Sequence, residues 1–333
     1  MRSIVAVVCA YGMSMGIAVA DETRPAVAAT GLNNWDVAMS LGIQRERQGK
    51  FLEAEPYYRE AVKIAEKLPA GDPHFASALS ALAANYDNLG RYADAERIYR
   101  RAMRAVADTQ GRRSADYATL ETNLAASFTH RGESLKGESL LTEAIATLES
   151  LETRDEERLA LARDGLGAVM LAHKRYDEAA ALFEQVLGAF RKTPHSWQCR
   201  SAIALNNLAV VRGFQGRQQE GVQLLEQAVA ETESLLGNEH PIMLRTLNNL
   251  AVGLAALGRF DEAYATSTRA IALAEKTLGK KHPVYGEVLA NYAAVMRRAG
   301  RKSEAKALET QAKGIIREST RTNGMVVDAS SFR

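Results

Sequence analysis

A six-residue signature recurs along the chain at nearly fixed spacing. It reads Gly, a basic or polar residue, often an aromatic, and then an acidic residue followed by Ala. Clear copies are Gly49-Lys-Phe-Leu-Glu-Ala54, Gly90-Arg-Tyr-Ala-Asp-Ala95, Gly258-Arg-Phe-Asp-Glu-Ala263 and Gly300-Arg-Lys-Ser-Glu-Ala305. Weaker copies start at Gly132, Lys174 and Gly216, so successive starts lie 41, 42, 42, 42, 42 and 42 residues apart. A period of this length implies stacked units, each burying its apolar face only against its neighbours.

The flanks keep the same register. Eight residues before each start stand Leu41, Leu82, Leu124, Leu166, Leu208, Leu250 and Tyr292, each followed by Gly or Ala. Twelve residues after it stand Ala61, Ala102, Ala144, Val186, Ala228, Ala270 and Ala312. Large and small residues at fixed offsets let neighbouring helices interlock. Each period therefore predicts two helices: helix A before the Gly and helix B after the acidic-Ala pair. Gly at the turn suits a positive-φ helix end, and the acidic residue suits the positive first turn of helix B. In the fifth repeat Leu205, Leu208, Ala209 and Arg212 follow helical spacing, with Arg212 the one polar departure.

This pattern resembles the tetratricopeptide repeat, with 42 residues in place of the ordinary 34. The linkers Leu236-Gly-Asn-Glu-His-Pro241 and Leu278-Gly-Lys-Lys-His-Pro283, with Leu205-Asn-Asn-Leu-Ala209 and Leu247-Asn-Asn-Leu-Ala251, resemble the long repeats of kinesin light chain and its bacterial relatives. The resemblance covers residues 33–318. It is weaker in the third repeat, where Gly137 replaces the Ala, and in the fourth, where Lys174 replaces the turn Gly. It implies an all-α solenoid, a right-handed superhelix of seven helix–turn–helix repeats with helix A lining the concave side. The last helix B carries Lys306, Glu309 and Lys313, which reads as a polar cap, and residues 319–333 read as a tail.

Residues 1–20 have the form of a secretory signal peptide. Arg2 supplies the positive charge, Ile4 to Ile17 the apolar stretch, and Ala18-Val19-Ala20 the cleavage pattern. An exported, periplasmic or secreted protein is expected, with residues 21–32 as a leader; the alternative is an anchor formed by an uncleaved N-terminal helix. Cleavage after Ala20 leaves Cys199 as the sole cysteine of the chain, so no intramolecular disulfide can staple it. No membrane insertion after cleavage is expected. The 42 Lys and Arg against 40 Asp and Glu supply no basic footprint for nucleic acid.

The column nine residues before each turn holds Ser40, Ala81, Asn123, Gly165, Asn207, Asn249 and Asn291. The resemblance implies that this column faces the groove, where Asn hydrogen-bonds the main chain of a bound peptide; the alternative is that these amides satisfy each other between helices. Asn88, His130, Arg245, Glu287 and Arg298 fall on the same stripe, with mixed charge. His240, His282, His74 and His195 repeat beside Pro241, Pro283, Pro73 and Pro194, one per module. That spacing does not converge ligands on one ion, and ordering of the linkers is the expected role. No phosphate loop, HExxH, GxSxG or CxxC occurs. The expectation is a non-catalytic scaffold with a protein or peptide partner, no cofactor and no metal. The alternative is an adaptor of a periplasmic or cell-surface complex that uses its convex face or terminal repeats.

Overall fold

The structure, a computed structural model, describes residues 34–48, 50–153, 155–191 and 198–323. The signal and leader segments, Gly49, His195 with its neighbouring proline, and the tail beyond 323 lie outside the described residues. So does the question of cleavage after Ala20.

Fourteen helices and no strand occur among the described residues. The helix A members are α1 (Asn34–Arg47), α3 (Pro73–Asn88), α5 (Ala115–His130), α7 (Glu156–Ala172), α9 (Gln198–Phe214), α11 (Pro241–Ala256) and α13 (Pro283–Arg298). Their helix B partners are α2 (Phe51–Ala65), α4 (Tyr92–Gln110), α6 (Ser134–Ser150), α8 (Tyr176–Phe190), α10 (Gln218–Leu236), α12 (Phe260–Leu278) and α14 (Lys302–Asn323). The fold is thus the expected all-α solenoid of helix pairs. No helix among the described residues is long and apolar enough to cross a membrane. The chain forms two compact units that divide within α7, between Val169 and Met170.

The signature residues each have a local task. Gly90, Gly132, Gly216, Gly258 and Gly300 have φ between 70° and 83°, the left-handed region that glycine enters without a steric cost. Lys174 adopts φ 61° at the same place. The Arg after the turn grips the acidic residue of the next helix: Arg91–Asp94 at 2.8 Å, Arg175–Glu178, Arg217–Glu220 and Arg259–Glu262 at 2.6 Å. The Ala that follows is fully buried at Ala54, Ala95, Ala179, Ala263 and Ala305. Where Gly137 or Gly221 replaces it, an added Cβ would lie 2.9 Å from the carbonyl oxygen of Ala125 or Ala209. The third repeat therefore departs from Ala because its two helices approach too closely for a methyl group.

Helix A starts with a cap eighteen residues before the turn. Asp72 accepts from the His74 backbone N–H at 2.9 Å and Ser114 from that of Tyr117 at 3.3 Å. At the same register His240 Nδ1 accepts from Ile242 and His282 Nδ1 from Val284. Each of these histidines precedes a Pro in the first turn, where no N–H is needed.

The core is built from the two columns read in the sequence. The column twelve residues after the turn is buried throughout, from Ala61 to Ala312. Leu82, Leu124, Leu208 and Leu250 are buried as well, while Leu41, Leu166 and Tyr292 are half-buried. Arg212 is buried too, and its guanidinium reaches Glu184 on α8. In the last repeat Glu309 pairs with Arg297, while Lys306 and Lys313 are exposed. The expected boundary at Ser319 falls inside α14, which continues to Asn323.

Candidate functional site

Within each unit, helix A members of successive repeats touch directly: α3 with α5, α9 with α11, and α11 with α13. Residues 13, 9, 6 and 2 before a turn share one face of such a helix, because they are separated by one, one and one further turn. The column thirteen before the turn is half-buried at Asp36, Thr119, Leu161, Ile203, Arg245 and Glu287, and exposed at Ser77. Six before the turn, Ala84, Ala126, Ala168, Val210, Val252 and Ala294 are all half-buried. Sequence reasoning passed over this second column; its signal was small apolar side chains exactly seven residues after the first.

The Asn column sits between these two, and its members differ. Asn123 is 3% exposed and donates to Ser80 Oγ at 3.0 Å; Asn249 is 6% exposed and donates to Asn206 Oδ1 at 2.8 Å. Both bonds cross from one repeat to the helix A before it. Asn207 is half-buried, and Asn291 is 6% exposed. Asn123 and Asn249 thus each use one amide hydrogen to join repeats. The partners Ser80 and Asn206 lie ten residues before their turns, a column the sequence reading did not single out.

The remaining stripe residues are distributed over both units. In the unit ending at Val169, Asn88 donates to Glu46 Oε1 at 3.1 Å, and the Tyr58 hydroxyl donates to Glu46 Oε2 at 2.5 Å. One repeat on, Asp87 accepts from Ser127 at 2.6 Å and from the buried Tyr99. Burial pushes the Asp87 carboxyl up to about 7, against the opposing influence of Ser127, Tyr99 and Arg131. His130 is half-buried, its Nε2 has no hydrogen-bond partner, and burial lowers its pKa, which keeps the imidazole neutral. In the unit starting at Met170, Arg298 is exposed and donates to the Ala256 carbonyl at 3.2 Å. Arg245 and Glu287 occupy the same column on α11 and α13. Burial raises the Glu287 carboxyl to about 7.

A surface cleft borders the turns of the fourth and fifth repeats, lined by Lys174, Tyr176, Asp177, Gln215 and Arg217. Its polar groups are largely spent on each other, with Gln215 donating to Asp177 at 2.7 Å and Arg217 bound to Glu220. Tyr176 and Phe214 stack beside it with centroids 5.1 Å apart.

The model of the tetratricopeptide repeat matches residues 36–108, 116–192, 200–263 and 242–318. Among solved structures, BtubC (BKLC) from P. vanneervenii is 22% identical with a TM-score of 0.56, covering 72% of this chain and 94% of its own. A putative kinesin light chain from Podosopora anserina, with nearly identical TPR-like repeats, is 24% identical with a TM-score of 0.50, covering 62% and 98%. A Rap protein complexed with Competence and Sporulation Factor reaches a TM-score of 0.68 at 16% identity, covering 88% and 77%. No curated protein matches.

Proposed function

Because the chain belongs to the tetratricopeptide repeat family, whose fold is a scaffold for protein–protein interaction, we propose that it holds an extended peptide or a partner helix along its helix A face and performs no catalysis. One observation carries this reading. On α9, α11 and α13 a half-buried polar or apolar column at Ile203, Arg245 and Glu287 runs parallel to the small apolar column Val210, Val252 and Ala294. Between them lie the Asn207 and Asn291 amides. Apolar floor and amide groups together match a peptide main chain, since an amide both donates and accepts. Four neutral hydrogen bonds contribute only about 4 kcal/mol in total, half of what a micromolar complex needs, so side-chain contacts supply the remainder. The Rap structure shows a protein of this fold complexed with a factor. The groove contacts proposed are Asn207, Asn291, Arg245, Glu287 and Arg298, with Asn88 and His130 extending the stripe in the other unit.

The test is capture of partners from native envelope material by the full chain and by an Asn207→Ala/Arg245→Ala/Asn291→Ala variant. The variant should lose the partner and keep its helical circular dichroism. Undiminished capture would place the partner elsewhere, on the even-numbered helices or the terminal repeats, as an adaptor would.

We also propose export, on the strength of Arg2, the apolar stretch to Ile17 and the Ala18-Val19-Ala20 pattern. N-terminal sequencing of protein from the native host should begin at Asp21; a chain retaining Met1 in the membrane fraction would indicate the anchor.

A further inference from the structure

On α13 two polar side chains, Glu287 and Asn291, lie one turn apart without a hydrogen-bond or ion-pair partner among the described residues. Glu287 is half-buried and makes no ion pair or hydrogen bond with any described residue. Asn291, four residues later on the same helix face, is 6% exposed and likewise has no side-chain partner among the described residues. Its column neighbours behave differently, since Asn123 and Asn249 each donate across to the preceding repeat. A carboxylate withdrawn from water without a counter-charge is unfavourable, and burial raises the Glu287 carboxyl to about 7.

The chemistry that satisfies both groups is specific. An ionised carboxylate only accepts, while the amide donates and accepts. An inorganic cation needs more oxygen ligands than one carboxylate and one amide provide. A Lys or Arg side chain needs only the carboxylate, and the peptide group it hangs from can meet the amide. We propose that Glu287 receives a basic side chain of an extended partner peptide, whose main chain meets the Asn291 amide. One helix earlier Arg245 holds the same column. The preference for a basic residue therefore belongs to the α13 end of the face and not to its whole length. This inference rests on the helix A face being the binding face.

The probe is a positional library of twelve-residue peptides in which one position is fixed as Lys, Arg, Glu, Gln or norleucine and the others are randomised. It is screened against the full chain, Glu287→Gln, Glu287→Lys and Asn207→Ala/Asn291→Ala. Gln keeps the shape and removes the charge, so Glu287→Gln is expected to fold, checked by circular dichroism. Peptides selected by the unaltered chain should carry Lys or Arg at one fixed position. Glu287→Gln should bind them roughly ten- to a hundredfold more weakly, the range for a hydrogen bond to a charged group. Glu287→Lys should select acidic residues at that position instead. Binders that weaken in the Asn double variant but show no basic preference would overturn this inference and leave the face intact. A library yielding no binder, or binders indifferent to the Asn double variant, would overturn the face and this inference with it.

Discussion

Glu121 occupies a place that the repeat gives to apolar residues. Eleven residues before the turn the other repeats carry Ala38, Leu79, Leu205, Leu247 and Leu289, all buried, and Arg163. Arg163 escapes by reaching Glu149 at 2.6 Å. Glu121 is 5% exposed, its Oε2 has no hydrogen-bond partner, and burial together with the nearby Glu143 raises its carboxyl from 4.5 to about 7. The folded pKa lies above the unfolded one, so the protonated form favours the fold. Stability from this group is complete below pH 4.5 and is lost as pH rises through about 7. Asp87 and Glu287 are displaced in the same direction. Urea denaturation should therefore show stability falling from pH 5 to pH 8. Glu121→Leu should flatten part of that slope and raise stability at pH 8 by an amount on the order of 3 kcal/mol. An unaltered slope would mean that Glu121 is hydrated in solution. The Asn column yields a second comparison. Asn249→Ala strands the buried Asn206 acceptor and should cost about 1–2 kcal/mol, whereas Asn291→Ala breaks no side-chain hydrogen bond among the described residues and should cost less. Equal losses in thermal denaturation would contradict that distinction.

At the scale of the element, the turn shows why the signature was legible and where it was not. Gly, the acidic residue and Ala each answer a local requirement, namely a left-handed φ, a partner for the Arg after the turn, and a close helix approach. Such requirements repeat in every module, so they surface as a pattern. Lys174 meets the same φ without glycine's freedom, and its side chain lies exposed. Lys174→Gly should relieve that strain and raise stability by about 1 kcal/mol. Gly221→Ala, whose Cβ would press on the Ala209 carbonyl, should lower it. If Lys174→Gly leaves the melting temperature unchanged, the lysine side chain has compensating contacts in solution. The candidate site was less legible, because it depends on which side chains meet across repeats. Asn123 and Asn249 share a column with Asn207 and Asn291, yet their bonds depend on Ser80 and Asn206 lying opposite. Nothing in a single repeat announces that pairing. The caps at His240 and His282 were legible in role because Pro follows each of them, but the acceptor atom, Nδ1, required the structure.

At the scale of the whole chain, stability is a sum over repeats and the interfaces between neighbours. The consequence can be tested with one core substitution in the middle of the array. Leu208 is 4% exposed on α9, in the column that fills the contact between helix A and helix B. Replacing it by Ala removes buried methyl groups and leaves a cavity, a loss of about 2–5 kcal/mol. In a globular core such a loss is shared by every element. In a nearest-neighbour array it weakens its own repeat and the interfaces on either side, so amides there open first. Hydrogen exchange of Leu208→Ala should accordingly show lost protection in α8 to α11 and unchanged protection in α1 to α4. A uniform loss from α1 to α14 would mean that the array unfolds as one cooperative body, and that the proposed peptide face of one unit is sensitive to substitutions in the other. Local loss would mean that a partner engaging α9 to α13 can stabilise those repeats by mass action while leaving the repeats before Val169 as they were.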